Sequence, residues 1–116
     1  QLEQVFLNII TNARQAMSGM EGGIFKIQAC REANRLLIRF EDNGPGISPE
    51  NLSKVFDPFF TTKPLGKGTG LGLSISYGII QQHHGTIRVE SPAGAGTSFI
   101  IDLPVYESAG PAGEER

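Results

Sequence analysis

Residues 66–73 read Gly-Lys-Gly-Thr-Gly-Leu-Gly-Leu, four glycines alternating with other residues and passing into a helical pattern from Leu71. Glycine admits positive φ and lets a backbone approach a ligand without a Cβ in the way. A loop of this kind entering a helix presents free N–H groups at the positive end of the helix dipole, a setting that suits phosphate. The stretch is not a Walker loop, because no Gly-Lys-Ser/Thr follows four variable residues. It misses the dinucleotide fingerprint too, since the third glycine falls one residue early and no strand runs directly into it. Alone it reads equally as a surface loop, so the residues around it decide.

Downstream, Leu71–His83 reads as a helix, with Leu71, Ile75 and Ile79 at i, i+4 spacing. Thr86–Ser91 and Thr97–Leu103 then read as strands joined by Pro92-Ala93-Gly94-Ala95-Gly96. His83-His84 is a helix end, where positive charge is favourable, rather than a metal site. Upstream, residues 56–70 hold too many prolines and glycines for regular structure, and a loop of about 15 residues inside a compact domain has the length of a lid. Glu50–Val55 reads as a short helix with Ser48 as its cap, and Asp42–Pro49 as a loop. Ile24–Arg31 and Arg35–Glu41 form a hairpin turning at Ala33-Asn34. Residues 1–18 fit a helix in which Leu2, Val5, Phe6, Ile9, Ile10, Ala13 and Met17 share one arc and Gln1, Gln4, Asn8, Asn12 and Gln15 a polar stripe. The order is helix, two strands, loop, helix, two strands, which points to an α/β two-layer sandwich.

The bulk numbers narrow the class. At 116 residues the chain is one domain with room for its own core. A net charge of −2, with 10 basic residues in no cluster longer than a pair, gives no general attraction to nucleic acid. The single cysteine, Cys30, excludes an internal disulfide, and its place in a strand predicts a small core residue. No apolar run approaches the roughly 18 residues of a membrane span, and no signal peptide is visible. Gln1 opens inside a helical pattern with neither cap nor initiator Met, so the sequence is expected to be a piece of a longer chain. Residues 105–116, rich in Gly, Pro, Ala and Glu, are expected to be a flexible tail after a domain spanning 1–104.

Four separated elements line up with the glycine loop. Asn8 and Asn12 lie four apart on one helix face, and side-chain amides offer neutral oxygens to a cation and N–H donors to phosphate. Asp42-Asn43-Gly44-Pro45-Gly46 follows a strand, where an aspartate can accept a hydrogen bond from an exocyclic amine and the glycines let a flat ring lie close. Phe56-Asp57-Pro58-Phe59-Phe60-Thr61-Thr62-Lys63 lies between that loop and the glycine loop, and Gly94-Ala95-Gly96-Thr97 precedes the last strand. Each has a plain explanation alone: a solvated stripe, an ordinary turn, core phenylalanines, solvated lysines.

In this order and spacing, the elements closely resemble the ATP-binding catalytic domain of bacterial sensor histidine kinases, in the superfamily that includes DNA gyrase, chaperone ATPases and mismatch-repair ATPases. Gln4–Met17 resembles the N box, Asp42–Ile47 the first glycine box, Phe56–Phe60 the F box, Gly66–Leu73 the second glycine box and Gly94–Thr97 the third. The resemblance implies a Bergerat-type fold, a mixed, mostly antiparallel sheet covered by helices. It implies ATP and Mg²⁺ as ligands, with Asn12 on the metal and Asn8 supporting the phosphates, the two catalytic candidates. Asp42 would take adenine N6, partly through a water shared with Thr97, and Gly46 would lie along the ring with Gly44 and Ile47 beside it. Phe56 and Phe59 would anchor the lid, and Thr61, Thr62, Lys63, Lys67, Gly68, Thr69, Gly70, Leu71, Gly72 and Leu73 would line the phosphate side. Gly66–Gly70 is expected to be mobile without nucleotide. Gln15 departs from the basic residue often found there, which weakens any phosphate contact at that position.

Asn8 also bears on the reaction. Where gyrase-like ATPases and the serine kinases of the superfamily carry a glutamate base, this chain carries an amide that cannot take a proton. A histidine nucleophile, with an unperturbed pKa of about 6.5, is mostly neutral at pH 7 and needs no such base. The resemblance therefore implies transfer of the γ-phosphoryl to a histidine on a dimerisation hairpin preceding Gln1, and thence to a response-regulator receiver domain. It implies a cytoplasmic domain, whether or not the parent chain is membrane-associated. A nucleotide-binding regulatory module and a serine kinase or ATPase stay open as alternatives.

Overall fold

The computed structural model describes residues 1–57, 72–92 and 95–105. Their element order is α1 (Leu2–Ala16), β1 (Phe25–Glu32), β2 (Arg35–Asp42), α2 (Pro49–Leu52), α3 (Gly72–Gln82), β3 (Thr86–Glu90) and β4 (Thr97–Pro104). The four strands form one sheet in the order β1-β2-β4-β3, and all three ladders are antiparallel. The two-layer α/β sandwich expected from the element order is present, with α1 and α3 packed on each other and on one sheet face.

The core follows from register. Ile38 pairs with Ile101 and Phe40 with Phe99, while Ile87 pairs with Ile101, so these side chains share the helix-covered face. Val5 and Ile9 from α1 and Ile80 from α3 close over them. Phe40 is flanked by Phe6 and Phe25 at ring distances of 5.7 and 6.3 Å. On the opposite face Ile100 is buried although it lies in register between Arg39 and Arg88, whose apolar stems can cover it.

The hairpin turns at Ala33-Asn34 as expected, with Ala33 at φ 52, the positive value that tight hairpin turns require. β2 extends one residue past Glu41, so Asp42 belongs to the strand rather than to the loop. α2 is only four residues long; Ser48 occupies its N-cap position but makes no side-chain cap hydrogen bond.

On α3 the buried row is Ser76 and Ile80, with Leu73 and Ile79 partly buried, whereas Ile75 is 47% exposed. A serine thus sits on the inward row and satisfies its hydroxyl locally. One expectation about burial is corrected: Cys30 is exposed rather than core. It pairs with Leu37 on the open face of β1, an edge strand, and even Ile27 on the covered side is 53% exposed.

Val105 N–H donates to the Asn34 carbonyl at 2.6 Å, and residues 106–116 lie outside the described residues. No helix among the described residues is long and apolar enough to cross a membrane.

Candidate functional site

The two central strands deliver Asp42 and Thr97 as register partners at one end of the covered face. Both are buried, at 7% and 5% exposure. Burial raises the Asp42 carboxyl above its ordinary value, and the Gly44 N–H, which donates to Oδ1 at 2.8 Å, offsets this only in part. A carboxylate out of water needs such donors, and this one keeps lone pairs for a further partner.

The segment after Asp42 is folded against three neighbours. Asn43 fixes its start: its Oδ1 accepts from Ile24 N–H at 2.8 Å and its Nδ2 donates to the Gly22 carbonyl at 3.0 Å. A Cβ on Gly44 would lie 2.9 Å from Asp42 Oδ1 and 3.4 Å from the Ala16 carbonyl, so this loop rests on the C-terminal end of α1. Gly46 has φ +85, and a Cβ there would meet Ser91 Oγ at 2.9 Å. Gly96 has φ +77, and a Cβ there would fall on the Asp42 carbonyl oxygen. The glycines at 46 and 96 thus permit the approach of two loops at the end of the sheet.

Ser91 joins those loops. Ile47 N–H donates to its Oγ at 2.7 Å, its hydroxyl donates to the Gly96 carbonyl at 2.7 Å, and Thr97 Oγ1 lies 3.5 Å away.

Midway along α1, Asn8 Nδ2 donates to the Gly72 carbonyl and to Ser76 Oγ, both at 3.0 Å, while Asn8 Oδ1 accepts from Gln4 Nε2 at 3.0 Å. Ser76, fully buried, donates back to the Gly72 carbonyl at 3.0 Å. The first turn of α3, where Leu73 packs against the core, is therefore clasped to α1. Asn12, half-buried, lies one turn along the same face, between Asn8 at Gly72 and Ala16 at Gly44. Phe56 packs on Tyr77 at 5.5 Å and edge-on to Phe99 at 6.3 Å, tying the chain after α2 to α3 and the sheet.

The structure therefore gathers Asp42, Gly44, Gly46, Ile47 and Thr97 into one group and joins Asn8 to Gly72 in another, with α1 between. Phe59, Thr61, Thr62, Lys63, Lys67, Gly68, Thr69, Gly70 and Leu71 lie outside the described residues. Ser76 and Ser91 were missed in the sequence. Neither carries a local signal: Ser76 depends on Asn8 and Gly72 beside it, and Ser91 is a serine at a strand end. Among the described residues no group of three or more His, Cys, Asp or Glu is placed to hold a metal ion.

The family model of histidine kinase-, DNA gyrase B- and HSP90-like ATPases matches residues 1–107. Sporulation kinase E of Bacillus subtilis (strain 168) is 45% identical over 116 residues, covering 100% of this chain and 15% of that protein. The signal transduction histidine-protein kinase AtoS of Escherichia coli (strain K12) is 48% identical over 105 residues, covering 90% of this chain and 17% of its own length. Among solved structures, the catalytic domain of histidine kinase ThkA in a nucleotide-free form aligns with a TM-score of 0.76 at 38% identity, over 89% of this chain and 65% of that one. The mycobacterial sensor histidine kinase MprB aligns with a TM-score of 0.76 at 32% identity, over 87% of this chain and 68% of that one.

Proposed function

This chain belongs to the histidine kinase-, DNA gyrase B- and HSP90-like ATPase family, and on that premise we propose that it binds Mg-ATP and donates the γ-phosphoryl group to a histidine on a separate helical hairpin. The observation that carries this choice is Asn8. Its amide has no basic atom, and both its polar atoms are engaged, in the clasp to α3 and with Gln4. A water or a serine hydroxyl would need a base to lose its proton; a neutral imidazole would not.

Asp42 would accept from the exocyclic amine of adenine, with Thr97 beside it, and the backbone at Gly44, Gly46 and Ile47 would form the wall along the ring. A Cβ at Gly44 would press on Asp42 Oδ1 and one at Gly46 on Ser91 Oγ, so the two glycines let this wall pack close against the aspartate and the sheet end. The N-terminal turn of α3 from Gly72, with Leu73 seating it, would face the phosphates, whose charge suits a helix N-terminus. Leu71, Thr69, Lys67, Lys63 and their neighbours would complete that side. Asn12 would hold Mg²⁺ through its amide oxygen, a neutral hard donor suited to an ion that shares phosphate oxygens. The bound ion would supply charge neutralisation on the triphosphate.

In the transfer, an imidazole nitrogen lone pair attacks the γ-phosphorus in line, the bond to the bridging oxygen breaks, and ADP departs with that electron pair. The clasp of Asn8 and Ser76 on Gly72 would fix the α3 turn so that its dipole needs no reorganisation. A response-regulator receiver domain would then take the phosphoryl group, and the domain would act on the cytoplasmic side, where ATP is available.

The test is incubation with γ-labelled ATP, with and without the histidine-bearing hairpin of the parent chain. Acid-labile label on the hairpin, and none on this chain alone, is expected. Release of free phosphate without an acceptor would point to an ATPase, and binding without transfer to a regulatory module.

A further inference from the structure

We propose that Ser91 is the positioning residue for the base end of the site, holding the wall at Gly46 and Ile47 at a fixed distance from Asp42. The proposal rests on the nucleotide-binding role given above and adds to it a residue outside the glycine boxes.

Asp42 and Thr97 are set by the paired strands and need no further support. The wall at Gly46 and Ile47 is different, because it belongs to a connection between β2 and α2 with no ladder of its own. Among the described residues, its hydrogen bond to the sheet end is made to one hydroxyl. Ile47 N–H donates to Ser91 Oγ and that hydroxyl donates onward to the Gly96 carbonyl, each at 2.7 Å. The first is at the short end for an N–H donor and the second is ordinary for a hydroxyl donor, and donor and acceptor capacities are used together.

The backbone has been shaped to let this happen. Gly46 and Gly96 are both in the left-handed region, and a Cβ on Gly46 would lie 2.9 Å from the Ser91 oxygen and 3.3 Å from the Gly96 carbonyl. Two loops therefore meet at one oxygen, and Thr97 Oγ1, 3.5 Å from it, places the same hydroxyl beside the proposed water-sharing threonine. Removing it would leave Ile47 N–H and the Gly96 carbonyl without their partner. The wall would then be free to move relative to Asp42, and the cost would appear in base recognition rather than in phosphate binding.

The test compares Ser91→Ala and Ser91→Thr with the unaltered chain, titrating each with ATP and with adenosine by calorimetry. Exchange of the Ile47 amide is followed by NMR in the same samples. Ser98→Ala, which removes the hydroxyl that reaches Glu41 on the open face, serves as a control for folding. Ser91→Ala should lose about tenfold in affinity for both ligands, with the ratio of ATP to adenosine affinity unchanged, and Ile47 should lose its protection. Ser91→Thr keeps the hydroxyl and should stay within about threefold of the unaltered chain. A Ser91→Ala protein with a lowered melting temperature but unchanged affinities would overturn the proposal, leaving Ser91 a structural residue only. An unaltered chain that binds neither ligand would instead sink the nucleotide-binding role, a failure distinguishable from that of Ser91.

Discussion

Asn8 and Ser76 are joined across the interface of two helices, the amide nitrogen of the first donating to the hydroxyl of the second at 3.0 Å while both address the Gly72 carbonyl. Three polar groups inside an otherwise apolar contact thus satisfy one another, and the arrangement depends on which atom of residue 8 carries hydrogen.

Asn8→Asp keeps the shape and removes the donor, setting a carboxylate oxygen against the Gly72 carbonyl. Urea denaturation without nucleotide should show a loss of about 2 kcal/mol, with Ser76→Ala costing about 1 kcal/mol. The double variant should cost less than the sum, because the two residues share one network. Strict additivity would show that the clasp is not formed in solution.

Asp42 places stability and binding in opposition. Its folded-state pKa is raised by burial, so between the ordinary value of 3.8 and the raised one the folded chain holds a proton that the unfolded chain has released. The contribution is fully present below the ordinary value and is lost as pH rises through the raised one. Asp42→Asn keeps an acceptor for Gly44 N–H and should therefore melt higher than the unaltered chain at pH 7 without nucleotide. That advantage should vanish in acid.

Binding should move the other way. Asp42→Ala should weaken ATP binding about ten- to a hundredfold, the loss of a charge-assisted hydrogen bond of roughly 1.5–3 kcal/mol, with little change for GTP. In the unaltered chain, ATP affinity should fall on acidification with a midpoint above 3.8. A titration insensitive to both changes would remove Asp42 from the base site.

Two glycines should respond to alanine with opposite sign. Gly78 lies inside α3 with nothing near the position of an added Cβ, and Gly78→Ala should stabilise by about 0.5–1 kcal/mol. Gly96→Ala would press a methyl on the Asp42 carbonyl at φ +77, and the combined strain and overlap should cost about 3 kcal/mol or more. Chemical denaturation of both variants checks the pair.

The end of α3 offers a gain. His84 has φ 63 and closes the helix, with its N–H donating to the Gln81 carbonyl and Gly85 N–H donating to the Ile80 carbonyl. This is the left-handed closing position that glycine prefers. His84→Gly should stabilise by about 1 kcal/mol, seen as a rise of roughly 4–8 °C in melting temperature.

The strand order could not be read locally, but every strand could, because alternation and turn residues mark them within the chain itself. Asp42 and Thr97 were legible as single residues; that they are register partners depends on the pairing of β2 with β4, which no local pattern encodes. The inward row of α3 was not legible because Ser76 looks polar in sequence and becomes acceptable inside only once Asn8 and Gly72 are beside it. Cys30 was misread because strand composition predicts burial on a covered sheet, whereas β1 is an edge strand and Cys30 lies on its open face. Ser91 carries its role through partners far away in sequence, Ile47 above all, and only the folded chain brings them together.

The strand order β1-β2-β4-β3 puts Asp42 and Thr97 on the two strands that have neighbours on both sides. Backbone at the middle of a sheet exchanges its amide hydrogens only through large openings, while strand edges and connections open at far smaller cost. On the proposed reading, the base contact would be held at the ends of strands paired on both sides, and the walls around it by connections that lack a ladder. Nucleotide would then enter and leave through local fluctuations of those connections while the residue that identifies the base keeps its place.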